Sequence, residues 1–244
     1  MQKSRIWELD AIRGFCILCV IVIHFIFDLQ YFAGLDLQLP ALYLFIQNNG
    51  GVLFILVSGI CATLGSRSFR RGIIVFCSGL LISCVIYGMI ALNMAGSDAK
   101  ILFGILHFLG FAMMIYPLLK KLPTVFLALT GAIMIVAGYI LLQRVFDTPG
   151  YLHWLFVFGI RYPGFAAGDY FPLLPYLGWF MEGIVLGRTL YKEKKSLLPS
   201  VNANFAPLRF FRFCGRHSLL IYLVHQPVCY GLLMLAAAVL WRTF

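Results

Sequence analysis

The sequence predicts an all-α fold, a polytopic membrane bundle of about seven transmembrane helices with one further re-entrant or half-helix segment. Of its 244 residues, 62% are hydrophobic and 11% are charged, and the mean hydropathy is +0.93. Soluble domains are about 45 to 50% apolar and about 25% charged. Because a membrane-spanning helix needs about 20 apolar residues, this length fits one bundle. We therefore expect a single domain over residues 1–244.

The basic residues lie in clusters between apolar runs, which indicates membrane topology. The formal net charge is +10. With seven crossings and a cytoplasmic N-terminus, most of the 19 Lys and Arg residues fall inside, as the positive-inside rule requires. The inside set is Lys3, Arg5, Arg13, Arg67, Arg70, Arg71, Lys120, Lys121, Arg188, Lys192, Lys194, Lys195, Arg209, Arg212 and Arg216, and the remainder are Lys100, Arg144, Arg161 and Arg242. We expect a multi-pass protein of the cell inner (plasma) membrane, with membrane lipids and not nucleic acid as a partner.

Span 1, predicted over residues 11–32, carries four ionisable side chains that we call the polar stripe: Asp10, Arg13, His24 and Asp28. At 100° per residue, His24 lies about 20° from Arg13 around the helix axis, and the two aspartates lie about 60° from it. Charged groups that face hydrocarbon cost several kcal/mol each. The stripe should therefore face a bundle interior or a wet cavity, which makes it a candidate site.

His24 is the candidate catalytic base of this stripe. It follows Arg13 by eleven residues, or roughly 16 Å, and so lies near the middle of the bilayer. Asp28, one turn further along, would fix the imidazole tautomer and stabilise its protonated form. The alternative is that both side chains only satisfy a buried helix contact.

Spans 2 to 5 follow over residues 44–64, 72–92, 101–119 and 123–143. Span 2 is interrupted by polar and flexible residues at 48–51. Three arginines, Arg67, Arg70 and Arg71, form a basic turn after it. With Arg13 and Arg216 they make a cluster suited to phosphates, either of a bound nucleotide or of lipid headgroups.

Residues 151–170 are too short and too broken by Pro and Gly to cross the membrane, which predicts the half-helix or re-entrant hairpin. Span 6 is predicted over residues 171–190, a polar loop over 196–207 and span 7 over 215–241. Span 7 brings Ser218, Tyr222 and His225 onto one face, and Pro227 frees a carbonyl beside His225 and Gln226.

Three further polar residues remain ambiguous. His107 in span 4 is either a packing histidine or a substrate ligand. Glu182 in span 6 needs a partner or a proton. Asp169 either binds an acceptor or caps span 6. The seven cysteines all lie in or beside apolar segments, so we expect no disulfide framework and no metal site.

Five motifs together carry a resemblance to a known family: RIWELDAIRGFCILCVIVIHFIFDL, FILVSGI, GILHFLG, DYFPLLPYLGWFMEGIVLGR and GRHSLLIYLVHQP. They resemble the bacterial membrane family related to the catalytic domain of heparan-alpha-glucosaminide N-acetyltransferase. That family belongs to the transmembrane acyltransferase group that includes the acyltransferase-3 enzymes. In the acyltransferase-3 relatives an LDxxRG start is followed by a histidine in span 1, and Arg13 and His24 match these positions.

The resemblance implies transfer of an acyl group, usually acetyl from cytoplasmic acetyl-CoA, to a sugar or similar hydroxyl or amine acceptor. His24 and Asp28 would be catalytic. Substrate binding would fall to Arg13, His107, His225, Gln226 and Asp169, and binding of the acyl-CoA phosphates to Arg13, Arg67, Arg70, Arg71 and Arg216. A homo-oligomer is left open. The rival hypotheses are a proton-coupled transporter or flippase, with a relay through His24, Asp28, His107 and Glu182, and a non-catalytic membrane subunit whose polar stripe binds a partner helix.

Overall fold

A computed structural model describes residues 6–241, except for the side chains of residues 31–33 and 237–241. Lys3, Arg5 and Arg242, which belong to the predicted charge distribution, lie outside the described residues. The α-helices are α1 (Trp7–Ala33), α2 (Ala41–Leu64), α3 (Ser68–Ala91), α4 (Ile105–Leu119), α5 (Thr124–Leu142), α6 (Leu173–Thr189), α7 (Ala206–Arg216) and α8 (Ser218–Trp241). Two 3₁₀ helices cover Ser97–Ala99 and Gly150–Phe158.

Within the described residues, the all-helical class is confirmed but the count of seven spans is not. Five helices, α1, α2, α3, α5 and α8, are long and apolar enough to cross a membrane. Helices α4 and α6 have only 15 and 17 residues, about 22 and 25 Å of helix against a hydrocarbon core of about 30 Å.

The predicted start of span 4 was wrong because residues 101–104 are not helical. The backbone N–H of Gly168 donates to the Lys100 carbonyl (2.9 Å), and that of Phe171 donates to the Phe103 carbonyl (2.8 Å). This pairing holds the segment extended until Gly104, which is the N-cap of α4. Span 4 therefore begins four residues later than the apolar pattern indicated.

The polar and flexible residues of span 2 do not break its helix, since α2 runs continuously through residues 48–51. The Asn49 side-chain amide donates to the Phe45 carbonyl one turn earlier, at 2.9 Å. A side chain that bonds back to its own helix satisfies itself without help from another segment. Polar residues can therefore be present here without ending the helix.

The segment over residues 151–170 begins as a short helix, as predicted, and then leaves regular structure. The 3₁₀ helix Gly150–Phe158 ends at Gly159, whose φ of 99° is left-handed. After it, the His153 ring stacks on Tyr162 at 3.7 Å, and the Tyr170 hydroxyl donates to the Phe156 carbonyl at 2.6 Å. Whether this segment re-enters a membrane stays a prediction.

The C-terminal region contains a helix that the sequence analysis did not separate. Span 7 was predicted to begin at residue 215, but α7 ends at Arg216 and α8 begins at Ser218. Pro207 lies in the first turn of α7, where its missing N–H would have no helical partner in any case.

The chain divides into two compact units, one of Met1–Phe54 with Lys195–Phe244 and one of Ile55–Lys194. In the first unit α1 packs against α7 and α8, and in the second α3 packs on α4 and α5 packs on α6. The expectation of a single domain stays a prediction.

The contact between α1 and α7 depends on two glycines. A Cβ atom on Gly14 would overlap the Phe211 carbonyl oxygen, and one on Gly215 would overlap the Asp10 carbonyl oxygen. Both atoms belong to backbone, which cannot move away as a flexible side chain can. Small residues of this kind allow membrane-protein helices to approach closely.

We predict that Gly14→Ala lowers the thermal midpoint of the purified protein in detergent. Overpacking costs about 1–3 kcal/mol, which exceeds the helix-propensity gain of replacing Gly by Ala. The matched control is Gly231→Ala in α8, where nothing lies within 4 Å of the added Cβ. Equal midpoints for the two variants would contradict this account of the α1–α7 contact.

Candidate active site

The polar stripe of α1 meets α7 and α8 of the same unit. At its N-terminal end, Arg216 Nε donates to Asp10 Oδ2 at 3.3 Å, which is an ion pair. One turn further, Arg13 Nη2 donates to the Ser218 hydroxyl oxygen at 2.9 Å. Arg13 Nε is buried and has no hydrogen-bond partner among the described residues. The predicted stripe therefore faces protein at this end.

Deeper along α1, two imidazoles lie side by side. The ring centroids of His24 and His225 are 5.0 Å apart, and the rings are tilted by 59°. His225 Nδ1 lies 2.6 Å from the Tyr222 carbonyl oxygen. Because a carbonyl can only accept, we assign the proton of neutral His225 to Nδ1. Its Nε2 then carries a lone pair, and this atom is buried without a partner among the described residues.

Asp28 completes this cluster. Its side chain is fully buried, and Gln226 Nε2 donates to both carboxylate oxygens, at 2.9 and 3.1 Å. Among the described residues, no ion pair or hydrogen bond joins Asp28 to His24. The described partner of the Asp28 carboxylate is Gln226, and the orientation of the His24 ring by Asp28 stays a prediction.

We call His24, Asp28, His225 and Gln226 the imidazole cluster. Gln226 Oε1 is buried and lacks a partner in the described part of the chain, as does His225 Nε2. Unpaired buried acceptors are costly, and they mark places where a ligand donor would be accommodated. The cluster thus offers two acceptor atoms on one turn of α8, next to the His24 ring.

In the second unit, His107 is held by its own helix end. The Gly104 backbone N–H donates to His107 Nδ1 at 3.3 Å, and the ring lies between Phe76 and Phe103. An imidazole nitrogen that accepts a backbone N–H is satisfied, which is the packing alternative of the sequence analysis. A role for His107 as a substrate ligand stays a prediction.

Asp169 caps α4, whereas the sequence analysis placed its cap on span 6. Its Oδ2 accepts a hydrogen bond from the Ile105 backbone N–H at 2.9 Å. Burial raises the pKa of Asp169 to about 6, and the hydrogen bond from Ile105 acts in the opposite direction. A carboxylate is favoured at a helix N-terminus, and this interaction offsets part of the cost of burying Asp169.

The other polar residues of the second unit that the sequence analysis singled out are three exposed arginines and one packed glutamate. Arg67, Arg70 and Arg71 are exposed at the start of α3, and none forms an ion pair within the described residues. Glu182 lies against Gly131, and its Oε1 is buried without a hydrogen-bond partner in residues 6–241. The arginines are therefore available to an anionic ligand, while Glu182 is a packed group.

No group of three or more metal-ligating side chains occurs among the described residues. All seven cysteines are free thiols.

The family described as heparan-alpha-glucosaminide N-acetyltransferase, catalytic, matches residues 5–227. The chain belongs to this family. A comparison with curated proteins finds no match, and neither does a comparison with solved structures.

As a member of the heparan-alpha-glucosaminide N-acetyltransferase catalytic family, the chain is a transferase of the acetyltransferase type. Its five apolar helices of sufficient length indicate a multi-pass membrane protein. The matched range begins before α1 and ends within α8, so it includes every member of the imidazole cluster. The family match alone assigns no role to these residues.

Two structural features were missed from the sequence. Glu8 is buried and accepts hydrogen bonds from the Ser196 hydroxyl and the Leu197 backbone N–H, both at 2.8 Å. The second is α7, which carries Arg209, Arg212 and Arg216 at helical spacing. This spacing is the signal that could have revealed an amphipathic helix before span 7.

The Asp28–Gln226 contact should appear as an energetic coupling. We predict that Gln226→Leu destabilises the protein, because it leaves a buried carboxylate without a donor. Asp28→Leu combined with Gln226→Leu should cost less than the sum of the single changes, with a coupling of about 1–2 kcal/mol. Denaturant titrations of the four proteins in mixed micelles measure this, and strictly additive effects would argue against the contact.

The pKa of Asp169 predicts a pH-dependent stability. The folded state keeps its proton up to about pH 6, whereas the unfolded state loses it near pH 4. The folded state therefore binds more protons between these values, and stability falls as pH rises from about 4 to 6. Asp169→Asn should flatten this part of the curve of thermal midpoint against pH. Asp98→Asn, at an exposed carboxyl group, should not; a wild-type slope in Asp169→Asn would disprove the assignment.

Proposed function

We propose that the chain transfers an acetyl group from cytoplasmic acetyl-CoA to a sugar or similar amine or hydroxyl acceptor at or across the membrane. The observation that carries the proposal is the pair of imidazoles, His24 and His225, on facing helices of a chain in an acetyltransferase family. Acyl transfer near pH 7 needs a base of this kind to take a proton from the acceptor.

His225 is the better oriented of the two bases. Its Nδ1–H donates to the Tyr222 carbonyl, so the buried Nε2 presents its lone pair. We propose that Nε2 takes the proton as the acceptor nitrogen or oxygen attacks the acetyl carbon. The carbon–sulfur bond then breaks, and the CoA thiolate leaves and takes up that proton.

This reassigns the roles expected from the sequence. The resemblance implied that His225 and Gln226 bind substrate, but a neutral His225 ring whose N–H is already donated to a backbone carbonyl cannot also donate to an oxyanion. We propose that His24 supplies that donor. In the alternative route a His24 nitrogen attacks the acetyl carbon, the CoA thiolate leaves with the His24 proton, and the acceptor then takes the acetyl group from the acyl-histidine. Asp28, bound by Gln226, holds α8 in register with α1 and positions the pair.

The acyl-CoA phosphates would be bound by exposed guanidinium groups. Arg67, Arg70 and Arg71 are exposed and lack ion pairs within the described residues, so their whole guanidinium groups are available for bidentate contacts. Arg13 and Arg216 each give part of the group to Ser218 or Asp10. We therefore propose the three arginines before and in the first turn of α3 as phosphate-binding residues of the second unit, and Arg13 and Arg216 as phosphate-binding residues of the first unit.

The rival functions gain no support. The polar stripe is in contact with α7 and α8 of its own chain, which leaves less of it for a partner helix. A proton relay through His107 would need both of its ring nitrogens, but Nδ1 accepts the Gly104 N–H. The family match favours neither a transporter nor a non-catalytic subunit.

We predict that His225→Ala and His24→Ala each lower transfer of labelled acetyl from acetyl-CoA to glucosamine by at least about 100-fold, as expected for loss of a catalytic base or donor. The assay uses the purified full chain in detergent, with thermal midpoints to show that the variants are folded. The control is His153→Gln, which changes a histidine of the 3₁₀ helix Gly150–Phe158 that is stacked on Tyr162 and should retain activity. Wild-type turnover in folded His24→Ala and His225→Ala variants would contradict the proposed mechanism.

A further inference from the structure

Helix α7 carries two arginines, Arg209 and Arg212, to which the proposed reaction assigns no role. One face of this helix packs on α1 through Phe211, which lies 6.2 Å from the Phe15 ring, and through Gly215. At 100° per residue, Arg209, Arg212 and Arg216 fall within about 60° of each other on the outer face. Phe213 lies about 40° from Arg209 and Phe210 about 100° from it, and their side chains are 59% and 55% exposed. The outer face thus combines cations with large exposed aromatic rings.

This face borders an open cleft of about 500 Å³. The cleft is lined by Asn204, Arg209, Arg212, Arg216 and His217 together with Phe210 and Phe213. The three arginines of the cleft differ in the ion pairs and hydrogen bonds that they form. Arg216 pairs with Asp10, and Arg212 Nη1 donates to the Ala203 carbonyl at 2.7 Å. Arg212 Nε is buried without a partner among the described residues, and the Arg209 side chain is exposed with no ion pair there.

We propose that this cleft binds the headgroup phosphate of an anionic membrane lipid. A single residue, His217, separates the end of α7 from the start of α8. Helix α8 is apolar and long enough to span a membrane. The outer face of α7 therefore lies near the end of a membrane span, at the depth of lipid headgroups. Helices with a basic polar face and exposed Phe bind at that depth, with the rings directed to the acyl chains.

The lipid, in contrast to a soluble phosphate, is favoured by the two phenylalanines. Inorganic phosphate would use the guanidinium groups alone and would leave both rings in water. An anionic lipid fits both the arginines and the phenylalanines, because its phosphate contacts Arg209 and Arg212 while its acyl chains cover Phe210 and Phe213. Each basic side chain near an anionic surface strengthens binding about fivefold.

The test measures binding of fluorescent short-chain phosphatidylglycerol to the purified full chain in detergent, with phosphatidylcholine of the same chain length as the neutral lipid. We expect phosphatidylglycerol to bind more tightly, and the difference to shrink as salt is added. Arg209→Gln should weaken its binding about fivefold without changing that of phosphatidylcholine. The matched control is Lys121→Gln, which removes an exposed cation of the second unit and should leave both affinities unchanged. Thermal midpoints verify that each variant is folded.

Four outcomes would overturn the proposal. The first is equal affinity for the two lipids, and the second is an equal effect of Lys121→Gln and Arg209→Gln. The third is displacement of phosphatidylglycerol by millimolar inorganic phosphate with the same dependence on Arg209, which would assign the cleft to a soluble phosphate ligand. The fourth is an unchanged affinity for phosphatidylglycerol in both Arg209→Gln and Arg212→Gln, which would show that α7 does not select the headgroup.

Discussion

The need to satisfy four polar side chains on an otherwise apolar helix governs the first unit of this protein. Asp10, Arg13 and Asp28 each find a hydrogen-bonding partner on α7 or α8, and His24 lies against His225. Because a polar group left unpaired in hydrocarbon costs several kcal/mol, these contacts determine which face of α1 meets the C-terminal helices. They also fix the register, since Arg13 with Ser218 and Asp28 with Gln226 lie at opposite ends of the same contact. The close approach at Gly14 and Gly215 brings the backbones within reach.

The same requirement separates structural from chemical roles. Asp10, Arg13 and Asp28 are polar groups whose hydrogen bonds hold helices together, and a helix pair needs no reaction to explain them. The imidazole pair is different, because His225 uses one nitrogen for the backbone and leaves the other buried and unpartnered within the described residues. A packing histidine would be expected to resemble His107, whose Nδ1 accepts the N–H of its own helix cap. The contrast between these two histidines is what distinguishes the imidazole cluster from a satisfied core.

The sequence predicted those parts of the fold that depend on local hydrophobicity. Five helices lie close to the predicted spans because 18 or more apolar residues have few alternatives to a helix. The polar stripe followed from helical periodicity alone. The errors occurred where distant backbone decides the structure: residues 101–104 are held extended by residues 168 and 171, which no local pattern in span 4 reveals. The partner of Asp28 was also missed, since both His24 and Gln226 can donate to a carboxylate, and only the packing of α8 on α1 selects between them.

The selection of Gln226 as the partner of Asp28 has a chemical consequence. An aspartate hydrogen-bonded to His24 would hold one of its nitrogens, as a carboxylate does beside many catalytic bases. In the structure Asp28 accepts from the Gln226 amide, and the His24 ring lies against the His225 ring. The orienting acceptor instead belongs to His225 and is a backbone carbonyl, that of Tyr222. A backbone carbonyl carries no full charge, so it fixes the tautomer of His225 without strongly stabilising its protonated form. In the reaction that we propose, this tautomer leaves Nε2 to take the proton of the acceptor and to return it to the leaving thiolate.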